Sequence, residues 1–210
     1  MIDNAAKLWI QNELANANFL FIYTNFVAQS KTEEMRKLKV TELNRLSVEE
    51  FKQSDKIPLT IVLDNIRSMY NVGSVFRTAD AFRIQKIILC GITAVPPMIE
   101  IHKTALGAED SVDWEYYEDA VKAIEDLNQS GCITLAVEQV EQSIQLQNWQ
   151  PQPHRHYALV LGNEVKGVQQ EVVNACQASL EIPQFGTKHS LNVSNTAAIV
   201  MWEFARHLMK

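Results

Sequence analysis

Small polar side chains cluster where an apolar C-terminal helix is predicted to begin. The chain leaves a predicted strand at Ile182, continues through Pro183 into a polar loop, and from about Asn192 shows an apolar helical pattern that runs nearly to Lys210. Residue types that cap helix N-termini are present at Ser190, Asn192, Ser194 and Asn195. A polar loop that opens a buried helix presents free backbone N–H groups to a ligand. The alternative interpretation is a well-capped helix without a ligand.

A second polar segment follows the first predicted strand. It places Asn71 and Gly73 at a turn and Arg77 one turn into a predicted helix. The glycine allows a close approach of the backbone, and an arginine guanidinium can hold a phosphate through two parallel hydrogen bonds. The alternative is a capped helix in which Arg77 pairs with Asp80 or Asp64. Taken alone, this segment does not separate a binding site from a structural turn.

A third segment, Leu161-Gly-Asn-Glu-Val-Lys-Gly167, directly follows an apolar strand. Its two glycines and its lysine invite comparison with a phosphate-binding P-loop. The comparison fails because Lys166 precedes the second glycine and no Ser or Thr follows, and the segment is not a GxGxxG motif either. A nucleoside triphosphatase is therefore disfavoured. A charged Glu164 between two glycines at the end of a strand favours a functional role.

These segments lie between predicted strands and helices that alternate from residue 59 onwards. Apolar runs predict buried strands at 59–63, 87–90, 133–137, 157–161 and 179–182, with a short extended piece at 114–117. Helical spacing predicts helices at 72–82, 103–111, 119–129 and 169–175, besides the last one. Unbroken apolar strands separated by helices predict an α/β fold with a mostly parallel sheet covered by helices on both faces. Ligands bind beyond the carboxyl ends of such strands, which is where all three segments lie.

The first 55 residues differ in kind, and we predict a helical N-terminal extension over 1–55 followed by a main domain over 56–210. Helical spacing is strongest from residue 33 to 51. This is also the most basic part of the chain, with Lys31, Arg36, Lys37, Lys39 and Arg45. These cations either form a solvated helix face or belong to an arm that contacts RNA.

Composition limits the class of protein. A net charge of −6 argues against binding nucleic acid over the whole surface, but not against a local basic patch. No apolar run approaches the length of a membrane span, and the N-terminus does not have the pattern of a signal peptide. The three cysteines are far apart, and His154 and His156 lack partners at metal-ligand spacing. We therefore expect a cytoplasmic protein with neither disulfides nor a metal.

Together, the three segments resemble the SpoU (TrmH-like) branch of the SPOUT RNA ribose methyltransferases. The residues that carry the resemblance are Asn71-Val-Gly-Ser-Val-Phe-Arg77, Leu161-Gly-Asn-Glu164 with Gly167, Ile182-Pro183, and Ser190-Leu-Asn-Val-Ser194. Their order, their spacing and their positions after strands all agree with the family. The resemblance covers roughly residues 57 to 207.

The resemblance implies a fold with a C-terminal trefoil knot, whose loops bind S-adenosylmethionine in a homodimer. The cofactor is then expected to contact Gly162, Ile182 and Leu191, with Leu161, Asn163, Gly167 and Pro183 beside them. The strand end at Val137 and Glu138 is a further contributor. The last helix, with Ile199, Trp202 and Leu208, would suit dimer packing, although a helix buried within one chain explains these residues equally well.

The reaction implied by the resemblance is methyl transfer to a ribose 2′-hydroxyl of tRNA or ribosomal RNA. The family assigns the catalytic role to the residue that corresponds to Arg77. Neutralising an arginine at pH 7 costs about 9 kcal/mol, because the pKa of a guanidinium lies far above neutrality. We therefore expect Arg77 to hold the phosphate and the developing oxyanion, and the identity of the general base stays open. Asn71 would support Arg77 or the ribose, Glu164 would orient its loop, and Ser190 and Asn192 would hydrogen-bond the substrate or the loop.

Basic side chains are expected to meet the RNA near this site. Lys188 and His189 add positive charge to the last loop, while Arg36 and Lys37 would act from the N-terminal extension. Histidine is also a residue type that serves as a general base, although a histidine in a surface loop such as His189 is more often a bystander. Two other classes remain as alternatives: an inert RNA-binding or assembly factor on the same fold, and an α/β enzyme that uses another nucleotide. Retention of Arg77, Glu164 and Asn192 argues against the inert factor.

Overall fold

The structure, a computed structural model, describes residues 35 to 209. The chain divides into two compact units, Met1–Arg45 and Leu46–Lys210. The expectations about a signal peptide and about Lys31 lie outside the described residues. The domain boundary placed at residues 55 and 56 stays a prediction.

The long helix predicted from residue 33 to 51 is wrong over residues 35 to 47, and only its last turn, from Val48 onwards, is helical. Residues 35 to 45 contain only a short 3-10 helix, Val40–Glu42, and the guanidinium of Arg36 forms an ion pair with Glu42 at 2.6 Å. Asn44 adopts a left-handed backbone conformation, with φ of 46°, which breaks any continuous helix. A new helix begins only after Ser47, whose hydroxyl accepts a hydrogen bond from the backbone of Glu50. The periodic apolar residues before it are exposed, so no burial supports a longer helix.

The second unit is built on a parallel sheet of seven strands. In chain order the strands are β1 (Ile57–Asp64), β2 (Ile84–Cys90), β3 (Asp113–Tyr117), β4 (Ile133–Val137), β5 (Ile144–Gln145), β6 (Tyr157–Leu161) and β7 (Ala178–Glu181). They are arranged in the order β3-β2-β1-β6-β4-β7-β5. Every pairing is parallel, and Leu63 at the end of β1 lies beside Leu89 of β2 and Leu161 of β6. The central strands therefore end together at one edge of the sheet.

The helices are α1 (Val48–Gln53), α2 (Met69–Ala81), α3 (Ile99–Ala105), α4 (Ala108–Ser111), α5 (Ala120–Gln129), α6 (Gln170–Ala175) and α7 (Val193–Leu208). Helical spacing predicts one helix at 103–111, and the structure has two instead. The break lies at Leu106 and Gly107, whose φ values of 55° and 93° end α3 and start α4. The two-residue strand β5 was missed, because it lies in a segment rich in loop residues. None of the helices within residues 35–209 is both long enough and apolar enough to span a bilayer.

Two apolar clusters cover the two faces of the sheet, which confirms the predicted α/β architecture. Successive side chains of a strand point to opposite faces, and in β1 Ile61 belongs to one cluster while Val62 belongs to the other. Helices α2 and α7 cover the first face through Phe76 and Phe204. Helix α5 covers the second face through Ile124. The trefoil knot implied by the resemblance stays a prediction.

Candidate active site

A cleft of about 660 Å³ opens at the carboxyl ends of the central strands. Its walls come from the end of β4, from the segment after β6 and from the segment after β7. We name the segments that follow β1, β6 and β7 the first, second and third loops, spanning residues 65–68, 162–169 and 182–192. The cleft therefore lies where the parallel-sheet rule places a ligand.

Most of the predicted cofactor residues line this cleft. They are Leu161, Gly162, Asn163, Gly167, Ile182 and Leu191. Glu164, Ser190 and Asn192 from the predicted catalytic set line it as well, as does His189. The cleft wall does not include Pro183, Lys188, Asn71 or Arg77.

Glu164 joins the second loop to the first. Its Oε2 accepts a hydrogen bond from the backbone N–H of Arg67 at 2.9 Å. Its Oε1 accepts from the backbone N–H of Ser68 at 3.0 Å and from the side-chain amide of Asn71 at 2.9 Å. One carboxylate therefore holds the start of helix α2, more than ninety residues away in sequence, against the cleft.

These contacts govern the ionisation of Glu164. Partial burial raises the pKa of its carboxyl, whereas the hydrogen bonds from Arg67, Asn71 and Ser68 lower it. The hydrogen bonds together outweigh burial, so the pKa of Glu164 lies below its ordinary value. Glu164 is therefore a fixed anion and acceptor at neutral pH and is not suited to donate a proton.

Asn71 extends the connection to the third loop. Its side-chain oxygen accepts a hydrogen bond from the amide of Asn192 at 3.2 Å. The side-chain oxygen of Asn192 in turn accepts from the backbone N–H groups of Ser194 and Asn195, at 2.9 and 3.4 Å, and so caps α7. The predicted capping role of Asn192 is confirmed. Glu164, Asn71 and Asn192 thus form one hydrogen-bonded chain, which we call the three-loop network.

Arg77 is exposed on α2, outside the cleft of its own chain. It forms no ion pair with a carboxylate among residues 35–209. Asp64, one of the partners considered for it, is fully buried and accepts hydrogen bonds from the side chains of Asn65 and Gln169. The guanidinium of Arg77 is therefore presented to solvent rather than used to pair with Asp64.

Two glycines of the second loop are required by close backbone contacts. A Cβ on Gly162 would lie 2.1 Å from the carbonyl carbon of Gly167. Gly167 has a φ of +69°, and a Cβ there would lie 2.2 Å from Oε2 of Glu138. The loop is closed by paired backbone hydrogen bonds between Asn163 and Gly167, at 2.8 and 3.0 Å. It therefore forms a compact turn with its backbone close to the cleft.

Gly73, in the first motif, serves packing instead of ligand approach. A Cβ on it would lie 2.2 Å from the carbonyl oxygen of Ile101 and 2.2 Å from the hydroxyl of Thr104. The glycine therefore allows α2 and α3 to cross closely, which places the start of α2 beside the cleft.

The end of β4 contributes contacts that sequence analysis only partly anticipated. Glu138 accepts a hydrogen bond from the backbone N–H of Val168 at 2.9 Å, in the second loop. The neighbouring Gln139 donates from its side chain to the carbonyl of His189 at 3.2 Å, in the third loop. Gln139 was missed. Its only signal in the sequence is its position two residues after the end of a core strand.

The predicted RNA-binding residues are not all in one place. Lys188 and His189 are exposed in the third loop. Arg36 and Lys37 belong to the other compact unit, where both are exposed. Within residues 35–209 there is no cluster of three or more side chains of the kinds that bind metals.

Comparison with known proteins places this site in a family context. The SpoU rRNA Methylase family matches residues 58–202 of the chain. The 23S rRNA (guanosine-2′-O-)-methyltransferase RlmB of Nitrosomonas europaea is 30% identical over 154 residues, which are 71% of this chain and 56% of that protein. The protein of the same name from Neisseria meningitidis is 28% identical over 149 residues, 71% of this chain and 58% of that protein. The chain thus spans somewhat more than half the length of these relatives.

Solved structures of similar fold include RNA methyltransferases. An AdoMet-bound rRNA methyltransferase from Sinorhizobium meliloti superposes with a TM-score of 0.69 and 25% identity, over 76% of this chain and 61% of that chain. The TrmH/SpoU tRNA modifying enzyme of A. aeolicus superposes with a TM-score of 0.68 over 76% of this chain and 81% of that chain. At 22% identity, this second likeness shows the fold alone. The match over residues 58–202, which include all three motifs, shows that the chain belongs to the SpoU rRNA Methylase family.

Proposed function

We propose that this protein transfers a methyl group from S-adenosylmethionine to a ribose 2′-hydroxyl of tRNA or ribosomal RNA. The observation that carries the proposal is the three-loop network, in which Glu164, Asn71 and Asn192 hold the three family motifs around one cleft. Family membership supports it. The relatives named as ribosomal RNA guanosine-2′-O-methyltransferases support this reaction and this substrate class.

The cleft fits S-adenosylmethionine in size and chemistry. Its volume of about 660 Å³ lies within the range of small-molecule sites. Apolar side chains of Leu161, Ile182 and Leu191 line it and would contact an adenine. The tight turn of the second loop brings the backbone of Gly162 to the cleft, where its polar groups are available to a ligand. When bound, the cofactor would supply an electrophilic methyl group.

The protein's own residues would contribute positioning and charge. Arg77 would hold a phosphate of the RNA, because its exposed guanidinium has no ion pair within residues 35–209 and can donate two parallel hydrogen bonds. Asn71 and Asn192 would fix the start of α2 against the third loop, so that the position of Arg77 relative to the cleft does not change. Ser190 lies in the cleft wall and would hydrogen-bond the ribose of the target nucleotide in the RNA. Glu164 would act by orientation alone, since its carboxylate already accepts three hydrogen bonds.

RNA would reach the site through exposed cations. Lys188 and His189 lie in the third loop and would contact phosphates near the target nucleotide. Arg36 and Lys37 would add contacts from the N-terminal unit, although the guanidinium of Arg36 is already paired with the carboxylate of Glu42. A local basic set is compatible with a net charge of −6.

We also propose that the protein works as a homodimer through α7. One face of this helix is buried against the sheet, whereas Ile199 and Trp202 are 40% and 51% exposed on the other. Trp202 is partly covered by Phe82, with ring centroids 5.7 Å apart, and Leu208 is half-buried. A second subunit would cover the remaining apolar surface.

The function is tested by combining cofactor binding with methyl transfer. Calorimetry should show S-adenosylmethionine binding to the wild type, and labelled methyl should enter RNA. Arg77→Ala should keep the wild-type melting temperature but abolish transfer, because the side chain is exposed and has no ion pair among residues 35–209. The matched control is Arg155→Ala, at another exposed arginine that precedes β6 and so lies at the opposite edge of the sheet. Near-normal transfer by Arg77→Ala would overturn the assignment of this site.

A further inference from the structure

Glu138 is an acidic side chain in the cleft wall that lies outside all three family motifs. It directly follows β4, a central strand between β6 and β7, and is half-buried. In parallel α/β sheets, an acidic residue beyond a strand's carboxyl end can accept a hydrogen bond from a nucleotide's ribose hydroxyl. Its place and its chemistry therefore suit recognition of a sugar.

The carboxylate of Glu138 is held in place by the backbone. Oε2 accepts from the N–H of Val168 and Oε1 from the N–H of Gln139, each at 2.9 Å. The absent side chain of Gly167 leaves room for it, because a Cβ there would lie 2.2 Å from Oε2. An ionised carboxylate offers about four acceptor positions. Since no other donor among residues 35–209 contacts the carboxylate, one position on each oxygen remains for a ligand with two neighbouring donors.

The other carboxylates in the cleft wall lack this combination. Glu164 is committed to the first loop through three hydrogen bonds. Glu181 also lines the cleft, but its side chain makes no hydrogen bond to any residue in the 35–209 range. Among the carboxylates of the cleft wall within the described part of the chain, Glu138 is thus the one that is both fixed and available.

We infer that Glu138 sets cofactor specificity by accepting hydrogen bonds from the 2′- and 3′-hydroxyls of the ribose of S-adenosylmethionine. The inference rests on the proposed function and names the residue that reads the sugar. Two neighbouring hydroxyl donors match two free acceptor positions on one rigid carboxylate, and the site is organised before the ligand arrives.

The test measures dissociation constants by calorimetry, without any turnover. The probes are S-adenosylhomocysteine, its 2′-deoxy and 3′-deoxy analogues, and 5′-methylthioadenosine. Wild type should bind each deoxy analogue about tenfold or more weakly than the parent, because a hydrogen bond to a charged group is lost. Glu138→Gln should bind S-adenosylhomocysteine about tenfold more weakly than wild type does. In this variant, removing either hydroxyl should raise the dissociation constant by less than about threefold.

Two comparisons separate this role from its rivals. Glu181→Gln, a matched substitution in the same cleft, should keep the wild-type discrimination between parent and deoxy analogues. 5′-Methylthioadenosine retains the ribose but lacks the amino acid ammonium, so Glu138→Gln should weaken it by the same factor as S-adenosylhomocysteine. Thermal melting of each variant confirms that the domain is folded.

Several outcomes would overturn the inference. The inference fails if wild type binds the deoxy analogues as tightly as S-adenosylhomocysteine, or if Glu138→Gln still discriminates against them. It also fails if Glu181→Gln loses this discrimination instead, or if Glu138→Gln does not weaken the binding of 5′-methylthioadenosine. The last result would assign Glu138 to the ammonium. Wild type that binds none of the probes would overturn the proposed function together with this inference, whereas the other outcomes leave that function intact.

Discussion

Replacing Glu164 by glutamine should weaken the connection between the first and second loops without changing side-chain volume. The carboxylate accepts from two donors at Oε1 and from the Arg67 N–H at Oε2. A glutamine has a single acceptor oxygen. If that oxygen keeps the two donors at the Oε1 position, its NH₂ group must face the Arg67 N–H, and that hydrogen bond is lost.

The size of the effect follows from one lost charge-assisted hydrogen bond. Such bonds contribute about 1.5–3 kcal/mol, and access of water to Arg67 places this one at about 2 kcal/mol. With a urea m-value of about 2 kcal/mol/M, the unfolding midpoint should fall by about 1 M. The control is Glu118→Gln, an exposed glutamate whose side chain makes no hydrogen bond within the described part of the chain. Its midpoint should stay at the wild-type value.

The pH dependence provides an independent check. Because the pKa of Glu164 is lowered in the folded protein, its stabilising effect is present above the unfolded-state pKa of about 4.3. The effect is lost as the pH falls through the folded-state pKa. The stability difference between wild type and Glu164→Gln should therefore shrink between pH 7 and about pH 3.5. Equal midpoints at pH 7, or a difference that does not change with pH, would refute this account of Glu164.

Three further predictions concern packing, capping and thiol chemistry. Gly73→Ala places a Cβ 2.2 Å from a backbone oxygen of α3 and should lower the melting temperature by about 5 °C, whereas Gly186→Ala, which meets nothing within 4 Å, should not change it. Asn192→Ala should cost about 1 kcal/mol in urea unfolding, while Asn192→Ser should restore the cap but not the contact with Asn71 or the transfer activity. Burial raises the thiol pKa values to about 12, 11 and 12, so iodoacetamide at pH 8 should label the native protein slowly at Cys90, Cys132 and Cys176. Fast labelling of the native protein would contradict the burial of the thiols. A melting temperature unchanged by Gly73→Ala would contradict the close crossing of α2 and α3, and full activity of Asn192→Ser would contradict the role of the contact with Asn71.

The strands and the loops around the cleft could be predicted from the residues alone because their signals are local, whereas the individual cofactor residues Gly162, Ile182 and Leu191 were implied by the family resemblance. An unbroken apolar run such as 157–161 predicts a buried parallel strand, and the segment after it must then lie at the ligand-binding edge. The cap at Asn192 is local as well, since it involves only the next three residues. These features need no knowledge of distant contacts.

The features that were missed depend on distant or subtle contacts. The hydrogen bond between Asn71 and Glu164 spans 93 residues and leaves no local pattern. The break between α3 and α4 depends on a left-handed Leu106, a conformation that leucine rarely adopts. The helix predicted at residues 33–51 failed between residues 35 and 47 for the opposite reason. Its periodicity was clear, but a left-handed Asn44 interrupts the chain and the apolar side chains before Ser47 stay exposed.

The most direct measurement of the central claim is the chemical position of the transferred methyl group. The protein would be incubated with labelled S-adenosylmethionine and, in separate reactions, total tRNA and ribosomal RNA, and the RNA would be digested to nucleosides. We predict label in 2′-O-methylated nucleosides from one of the two pools, and none when Arg77→Ala replaces the wild type. Label on a base would contradict ribose methylation, and no label in either pool would contradict the proposed activity on mature RNA.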